Sequence, residues 1–191
     1  MSTILVVGGA GYIGFHMVRE LVERGHDPLV FDSLVTGHAD AVTAGRLVVG
    51  DLADRGAVAR LFDRYEIAAV MHFASFIQVG ESVGAPLKYY RNNVANTLNL
   101  LAAMEEAGVP RLVFSSTAAV YGTPERIPIS EDSPLKPENP YGHSKLMIEQ
   151  VLADCDRAWG LKSACLRYFN AAGAHTLGDI GERHKDRKSV V

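Results

Sequence analysis

The chain has 191 residues, 48% of them hydrophobic, and so has enough apolar material to bury one full core or parts of two. Its formal net charge of −3 gives no basic field that would attract nucleic acid or an anionic membrane surface. No apolar run is long enough to span a membrane, and the first residues lead straight into a predicted strand without a signal peptide.

Short β-rich runs alternate with helical patterns, which is typical of a parallel sheet covered by helices. The predicted strands are "ILVVG", "PLVFD", "RLVVGD", "IAAVMHFA", "RLVFSS" and "SACLRYFN". Apolar spacing predicts helices over about 14–25, 58–65, 86–106 and 141–159. Gly25 is expected to end the first of these helices, and Gly108 with Pro110 the third. The right-handed crossover rule then gives a doubly wound α/β sheet, with helices on both faces and ligands at the carboxyl ends of the strands.

The first predicted turn holds three glycines at three-residue spacing. The stretch "GGAGYIGFH" places Gly8, Gly11 and Gly14 between the first strand and the first helix. We expect Gly8 to permit a tight turn, Gly11 to let the backbone approach a pyrophosphate, and Gly14 to let the helix pack closely on the sheet. The phosphates would lie at the helix N-terminus, where free N–H groups and the dipole favour an anion. The G-x-x-G-x-x-G spacing in this context is typical of the Rossmann-type domain of short-chain and extended short-chain reductases.

Two aspartates end the next two predicted strands. Asp32 lies 18 residues past Gly14, where a carboxylate accepts hydrogen bonds from the adenosine ribose hydroxyls. No arginine follows in "DSLVTG", so the 2′-phosphate of NADP would meet an unbalanced carboxylate, and NAD is the expected cofactor. The alternative for Asp32 is a turn-forming role. Asp51 is expected to contact adenine, or else to cap the helix that follows.

The stretch "NPYGHSK" places Tyr141 and Lys145 on one face of a helix. Such a pair is common and usually lies on the surface, but together with the glycine turn it predicts a catalytic pair. A phenol titrates at about 10, too high for a base at neutral pH. One positive charge at ~6 Å in an effective dielectric of ~20 contributes roughly 2.8 kcal/mol, or about two pK units. Lys145 and an oxidised nicotinamide together are therefore expected to bring Tyr141 near neutrality, where it can act as a general base.

The fifth predicted strand ends in "FSSTAAVYG". Thr117, just past the strand, is expected to offer its hydroxyl to the same substrate oxygen that Tyr141 deprotonates. For Ser115 and Ser116, hydrogen bonding at the strand end and contact with cofactor or substrate are equal alternatives.

The two cysteines, Cys155 and Cys165, are expected to be small core residues in a reducing compartment. A disulfide is the weaker alternative, and no metal is expected because a second pair of ligands is lacking. These features predict a cytoplasmic protein.

Eight strings together resemble the UDP-glucose 4-epimerases (UDP-galactose 4-epimerases), a family of extended short-chain dehydrogenases/reductases. They are "GGAGYIG", "MHFAS", "VGES", "YYRNN", "FSSTAAVYG", "PYGHSK", "LRYFN" and "GAH". The resemblance runs from Ile4 to about Arg183. It implies a tightly held NAD that removes a hydride from C4 of a UDP-hexose and returns it to the other face of the 4-keto intermediate, interconverting UDP-glucose and UDP-galactose in galactose metabolism.

The resemblance also assigns roles by position. It makes Tyr141 the base, Lys145 its electrostatic partner and Thr117 the hydroxyl partner. Thr117 and Tyr141 would contact the sugar, and Asn170 the nucleotide-sugar phosphates. The implied cofactor contacts are Gly8, Gly11, Tyr12, Ile13, Gly14, Asp32, Asp51, Leu52, Phe73, Ala74, Asn92, Ser115, Tyr141, Lys145 and Phe169. In relatives the helices over 86–106 and 141–159 pair subunits, so a homodimer is expected.

Three features depart from the family pattern. Phe15 stands where serine is common, close to the phosphates, so its bulk must point away, and Ile77 stands where some members have a lysine that contacts the cofactor. The family continues into a carboxyl-terminal domain that encloses the nucleotide sugar, so residues 1–183 are expected to be the NAD-binding domain of a truncated enzyme. Residues 184–191 are expected to be a non-native or disordered tail, since one back-translation of 186–191 resembles a common sequencing adapter. A native solvated tail is the alternative.

Other functions stay open at this point. Sugar-nucleotide 4,6-dehydratases need an Asp-Glu pair after the threonine, and UDP-glucuronate decarboxylases usually have a glutamate at the second of these positions. This chain has Ala118 and Ala119 there, which counts against both classes. 4-Epimerases of UDP-uronates or UDP-N-acetylhexosamines remain possible, because their selectivity lies largely in the missing region. A non-catalytic NAD-binding module or an inactive fragment is the alternative from a different class. The intact Tyr141, Lys145 and Thr117 count against a protein selected only for binding.

Overall fold

In a computed structural model that describes residues 3–175 and 181–182, six strands form one parallel sheet. The strands are β1 (Thr3–Val7), β2 (Asp27–Asp32), β3 (Arg46–Val49), β4 (Ile67–His72), β5 (Arg111–Ser115) and β6 (Lys162–Leu166). Their order is β3-β2-β1-β4-β5-β6, and every neighbouring pair is parallel. The strand order reverses at β1, which places the ligand crevice of such folds at the carboxyl ends of β1 and β4. The predicted doubly wound sheet is confirmed, while the predicted tail over 184–191 lies outside the described residues.

The helices are α1 (Tyr12–Glu23), α2 (Arg55–Arg64), α3 (Val79–Gly84), α4 (Pro86–Tyr89), α5 (Asn96–Glu106) and α6 (Pro140–Trp159). The helix predicted over 86–106 is α4 and α5, joined by a π-helical stretch at Tyr90–Ala95. The sequence does not predict α3, because its six residues include two glycines and too few apolar positions to show a period. Short 3₁₀ turns lie at Ala39–Ala41 and Ala118–Tyr121.

Glycines end α1 and α5 as predicted. Gly25 has φ +78° and Gly108 has φ +67°, a left-handed conformation that glycine adopts without the steric cost of a Cβ.

The fourth and sixth strands end earlier than predicted, at His72 and Leu166 rather than at 74 and 170. After β4 the N–H groups of Phe73 and Ala74 both donate to the carbonyl of Val7, at 2.8 and 3.1 Å. Two donors on one acceptor break the ladder, so the chain leaves the sheet here and turns across the end of β1.

Alternation along β1 divides the core between the two faces of the sheet. Leu5 and Val7 belong to a large cluster with side chains of β2, β4, β5, α2, α5 and α6. Val6 points the other way and packs with Val30 and with Val18 of α1. Each fully buried side chain of this kind contributes roughly 1.5–3 kcal/mol. Both faces of the central strands are therefore covered.

The two cysteines are free and half-buried at the border of the large cluster, not inside it. Burial raises the pKa of both thiols, that of Cys165 to about 11. Both are therefore protonated at neutral pH, which makes them poor nucleophiles. In the described part of the chain, no helix is long and apolar enough to cross a membrane.

Candidate active site

The glycine turn joins β1 to α1, and packing requires glycine at two of the three spaced positions, Gly8, Gly11 and Gly14. Gly8 has φ +80°, and a Cβ there would lie 2.4 Å from the backbone nitrogen of Ala74. A Cβ on Gly14 would lie 2.1 Å from the carbonyl oxygen of Gly8, so Gly14 permits the helix to pack on the turn itself. A Cβ on Gly11 would meet protein only at 3.4 Å, an ordinary contact. Packing in the described fold does not require glycine at position 11, and close approach of a ligand there stays a prediction.

The N-terminus of α1 is open to an anion. Gly11 is its N-cap and offers no side chain to the free N–H groups, and the first turn holds no acidic residue. Tyr12 donates its hydroxyl to the carbonyl of Gly173 at 2.6 Å, and Ile13 is half-buried beside it. Phe15 is buried against Ala41, so its bulk does point away from the helix end.

Asp32 ends β2 directly beside the glycine turn and is buried. Its two carboxylate oxygens accept hydrogen bonds from the N–H of Ala10, at 2.9 Å, and from the N–H of Leu34, at 2.8 Å. Leu34 has φ +59°, an unusual conformation for a side chain that is not glycine. Asp32 therefore has the turn-forming role that was the alternative for it. Each oxygen keeps a lone pair, so contact with a ribose stays a prediction.

Asp51 lies beyond the end of β3 and is exposed, where its Oδ1 accepts from the N–H of Ala53 at 2.9 Å. The N-cap of α2 is Asp54, which accepts from Ala57 at 2.9 Å. The alternative that Asp51 caps this helix is therefore wrong. Leu52 is buried beside it in the large cluster.

The predicted catalytic side chains meet at the carboxyl end of β5. Helix α6 begins at Pro140, capped by Asn139, and turns Tyr141 and Lys145 toward that strand. Lys145 donates from Nζ to the carbonyl of Ser115 at 2.7 Å, and its Nζ lies 6.0 Å from the centre of the Tyr141 ring. Thr117 follows the strand, and its hydroxyl acts to lower the pKa of the Tyr141 phenol. All three side chains are buried.

Burial dominates the electrostatics of this group. It raises the pKa of Tyr141, and the hydrogen bond from Thr117 only partly opposes it. Burial also lowers the pKa of Lys145 to about 7, opposed by the negative charge of Glu149. The chain alone thus does not bring Tyr141 near neutrality, and Lys145 is only partly charged at pH 7. The charge on Lys145 therefore depends on its own surroundings.

The other predicted cofactor contacts lie along the same edge of the sheet. Ser115 shares a short hydrogen bond with the hydroxyl of Tyr168, and Phe73 and Ala74 follow β4. The π-helical stretch carries Asn92, whose amide donates to Asn93 at 2.9 Å. Phe169 and Asn170 follow β6 and are exposed, as is Ile77 after β4. These residues share an edge, and their contacts to a cofactor or sugar stay predictions.

Sequence reasoning did not find the polar residues behind this group, which are the buried His72, Asn93 and Glu149 and the half-buried Arg167. Asn93 ties the loop after β4 to α6, exchanging bonds with the backbone of Phe76 and donating to Ser144. Glu149 could have been noticed, because it lies four residues past Lys145 on the same helical face. In the described part of the chain, no cluster of three or more His, Cys, Asp or Glu side chains could hold a metal.

A parallel sheet with a glycine turn after β1 and a buried Tyr–Lys pair after β5 defines a dinucleotide-binding domain of the short-chain dehydrogenase/reductase class. A sequence model of the NAD dependent epimerase/dehydratase family matches residues 4–189, and the chain belongs to that family.

Curated relatives and solved structures agree with this assignment. The UDP-glucose 4-epimerase of Lactobacillus helveticus is 53% identical over 189 residues, which are 98% of this chain and 57% of the relative. The Brucella ovis UDP-glucose 4-epimerase in complex with NAD matches with a TM-score of 0.95 and 47% identity, covering 96% of this chain and 57% of that one. The Bifidobacterium longum UDP-glucose 4-epimerase in complex with NAD+ and UDP matches with a TM-score of 0.91 and 40% identity. This match covers 97% of this chain and 58% of that one. The resemblance drawn from the motifs is confirmed. The chain spans a little over half the length of these relatives.

Proposed function

We propose that this chain carries the NAD-binding and catalytic part of a UDP-hexose 4-epimerase that interconverts UDP-glucose and UDP-galactose. The observation that carries the proposal is the buried meeting of Tyr141, Lys145 and Thr117 at the carboxyl end of β5, separated by one strand from the strand that leads into the glycine turn. The names of the relatives support the substrate class.

The residues of the turn fit the pyrophosphate of NAD. Gly11 leaves open space where a Cβ would meet little protein, and the first N–H groups of α1 point out of the helix without a capping side chain. The carboxylate of Asp32 follows on the next strand, where it suits ribose hydroxyls and repels a 2′-phosphate. When bound, NAD supplies the nicotinamide ring that takes a hydride from the sugar and gives it back.

The chain's own residues move the proton. The phenolate of Tyr141 accepts the proton of the C4 hydroxyl as the hydride leaves, and it returns the proton when the hydride comes back. Lys145 stabilises the phenolate through its charge, at a ring distance of 6.0 Å. Thr117 donates a hydrogen bond to the same oxygens and orients them. Because burial raises the pKa of Tyr141, the chain needs the positive charge of Lys145 to make this base available at neutral pH.

The residues after Thr117 favour epimerisation over elimination. Ala118 and Ala119 form the first turn of the 3₁₀ segment, and hydrocarbon side chains cannot supply the acid–base pair that expelling water from a sugar requires. A single base with its hydroxyl partner suffices for hydride removal and return.

We also propose that the domain, residues 1–183, acts as a homodimer in the cytoplasm. Exposed apolar side chains on the helices expected to pair support this, among them Leu87, Leu98 and Met147. Light scattering on the purified chain should give twice the chain mass, and a monodisperse monomer at working concentration would contradict the dimer.

The test of the function uses the chain extended by the carboxyl-terminal part of a relative. The described residues line only one side of the sugar site, and water on the open side screens the charges around Tyr141. We expect the 191-residue chain to show little or no conversion of UDP-galactose to UDP-glucose, and the extended chain to show it.

Tyr141→Phe in the extended chain should lose on the order of 10²–10⁴-fold in rate while NAD stays bound. The matched control is Tyr65→Phe, which makes the same change at the end of α2, far from β5. Retention of most of the rate by the Tyr141 variant would refute the proposal.

A further inference from the structure

Lys145 is a buried cation with one nearby anion. Its ammonium lies 4.8 Å from the centre of the Phe114 ring, and its side chain is 3% exposed. The other titratable groups that face it are neutral. Burial and the charge of Lys145 itself lower the pKa of His72, on β4, to about 3, while burial raises the pKa of Tyr141 on its own helix. Glu149, one turn further along α6, is the group that opposes the loss of its charge.

Two side chains donate hydrogen bonds to the carboxylate of Glu149. Arg167, just past β6, donates from Nε to both oxygens, at 3.0 and 3.1 Å, and from Nη2 to Oε2 at 2.6 Å. Ser116 donates a short hydrogen bond to Oε1. Glu149 is only 9% exposed, so the pair with Arg167 is largely shielded from water. A carboxylate held this firmly cannot swing toward or away from Lys145.

The same carboxylate also reaches the backbone that carries the reacting groups. Ser116 stands between Ser115, whose carbonyl accepts the hydrogen bond of Lys145, and Thr117. Arg167 also donates to the hydroxyl of Tyr121, at 2.9 Å, at the end of the 3₁₀ turn that follows Thr117. Glu149 thus connects α6 to the ends of β5 and β6.

We propose that Glu149 is a positioning residue, which keeps the ammonium of Lys145 charged and fixes the strand end that carries Ser115 and Thr117. The proposal rests on the proposed function for its consequence in catalysis, but the effect on Lys145 exists in the chain by itself. A buried ion pair often adds little to stability compared with apolar side chains of the same volume. The electrostatic effect on Lys145 gives the Glu149–Arg167 ion pair a role other than stabilising the fold.

The experiment measures the pKa of Lys145 in the 191-residue chain by NMR of isotope-labelled lysine, with the signal assigned by its loss in Lys145→Met. Glu149→Gln keeps the shape of the side chain and removes its charge. One charge at ~6–8 Å in an effective dielectric of ~20 is worth about one to two pH units, so the pKa of Lys145 should fall by that amount. Glu149→Asp, which keeps the charge, should largely preserve it. The matched control is Asp154→Asn, which removes one charge from an exposed position on the same helix and should leave Lys145 unchanged.

An unchanged pKa of Lys145 in Glu149→Gln would overturn the proposal. If that variant does not fold because Arg167 is left unpaired, the double variant Glu149→Gln/Arg167→Met removes both charges and should still lower the pKa of Lys145. Failure of either folded variant to lower it refutes the role. The titration of Lys145 needs neither cofactor nor sugar. A chain that binds no NAD would therefore refute the proposed function, while the effect of Glu149 on the pKa of Lys145 could still be measured.

Discussion

His72 should make the stability of the fold sensitive to mild acid. The imidazole is 1% exposed at the end of β4, and its Nε2 lies 2.9 Å from the hydroxyl of Thr97. That hydroxyl donates to the carbonyl of Asn93 at 2.6 Å, so Nε2 of His72 must be the donor in their pair. Nδ1 is then an acceptor, and it has no partner among the described residues. A proton placed there would be buried, unpaired and close to Lys145.

The magnitude follows from the two pKa values. Burial, and then the charge of Lys145, lower the pKa of His72 from 6.5 to about 3 in the folded chain. Between these values the unfolded chain binds a proton that the folded chain refuses, so this part of the stability is present above pH 6.5 and is lost as the pH falls. At pH 5 the loss is about 2 kcal/mol. Any folded pKa below about 4 gives the same result at that pH, because the folded imidazole stays neutral.

The assay compares the original chain with His72→Gln by urea unfolding at pH 7.5 and pH 5.0. The glutamine amide can still donate to Thr97 but takes up no proton, so the variant has a packing cost that is constant with pH. The difference in the free energy of unfolding should therefore shrink by about 2 kcal/mol on going to pH 5. The control is His26→Gln at an exposed position, which should not change with pH in this way. A difference between the original chain and His72→Gln that is the same at both pH values would refute the reasoning.

The remaining predictions concern the glycine turn and the ribose contact. Gly14→Ala should prevent folding or destabilise the chain by several kcal/mol, because the added Cβ would lie 2.1 Å from the carbonyl oxygen of Gly8. An unfolding midpoint of the variant equal to that of the original chain would contradict this. The original chain should bind NAD far better than NADP, and Asp32→Ala should narrow that gap; calorimetric titration of both cofactors measures it. Equal affinity of the original chain for NAD and NADP would refute the contact of Asp32 with the ribose. Thermal unfolding of the Asp32 variant is the control, because it shows whether losing the hydrogen bonds to Ala10 and Leu34 has damaged the turn.

Local patterns in the sequence predict most of the fold. The short apolar run of β1 and the glycines after α1 and α5 are short-range signals, and the structure confirms the elements they predict. The Tyr141–Lys145 pair was also predictable, because one turn of helix brings both side chains to the same face. Strand ends were less predictable, since β4 stops where Phe73 and Ala74 compete for one carbonyl of β1, a contact between distant parts of the chain.

The surroundings of the pair could not be predicted in the same way. The charge on Lys145 depends on burial by β4 and β5 and on a carboxylate held by Arg167, and these groups come together only in the folded sheet. The same is true of the π-helical stretch, which sequence periodicity treats as ordinary helix. Sequence motifs thus pointed to the candidate reacting groups, while the residues around them that affect their protonation became visible only in three dimensions.

The claim that the described residues form an NAD site is tested most directly by calorimetric titration of NAD into the 191-residue chain and into Gly11→Ala. A Cβ on Gly11 would meet protein only at 3.4 Å, so the variant should unfold at the same temperature as the original chain. The original chain should bind NAD saturably at one site, and Gly11→Ala should bind it about tenfold more weakly or worse, on the order of 1.4 kcal/mol, because the added methyl group occupies the approach to the helix end. No saturable NAD binding by the original chain, or equal affinity in the two chains, would contradict the account.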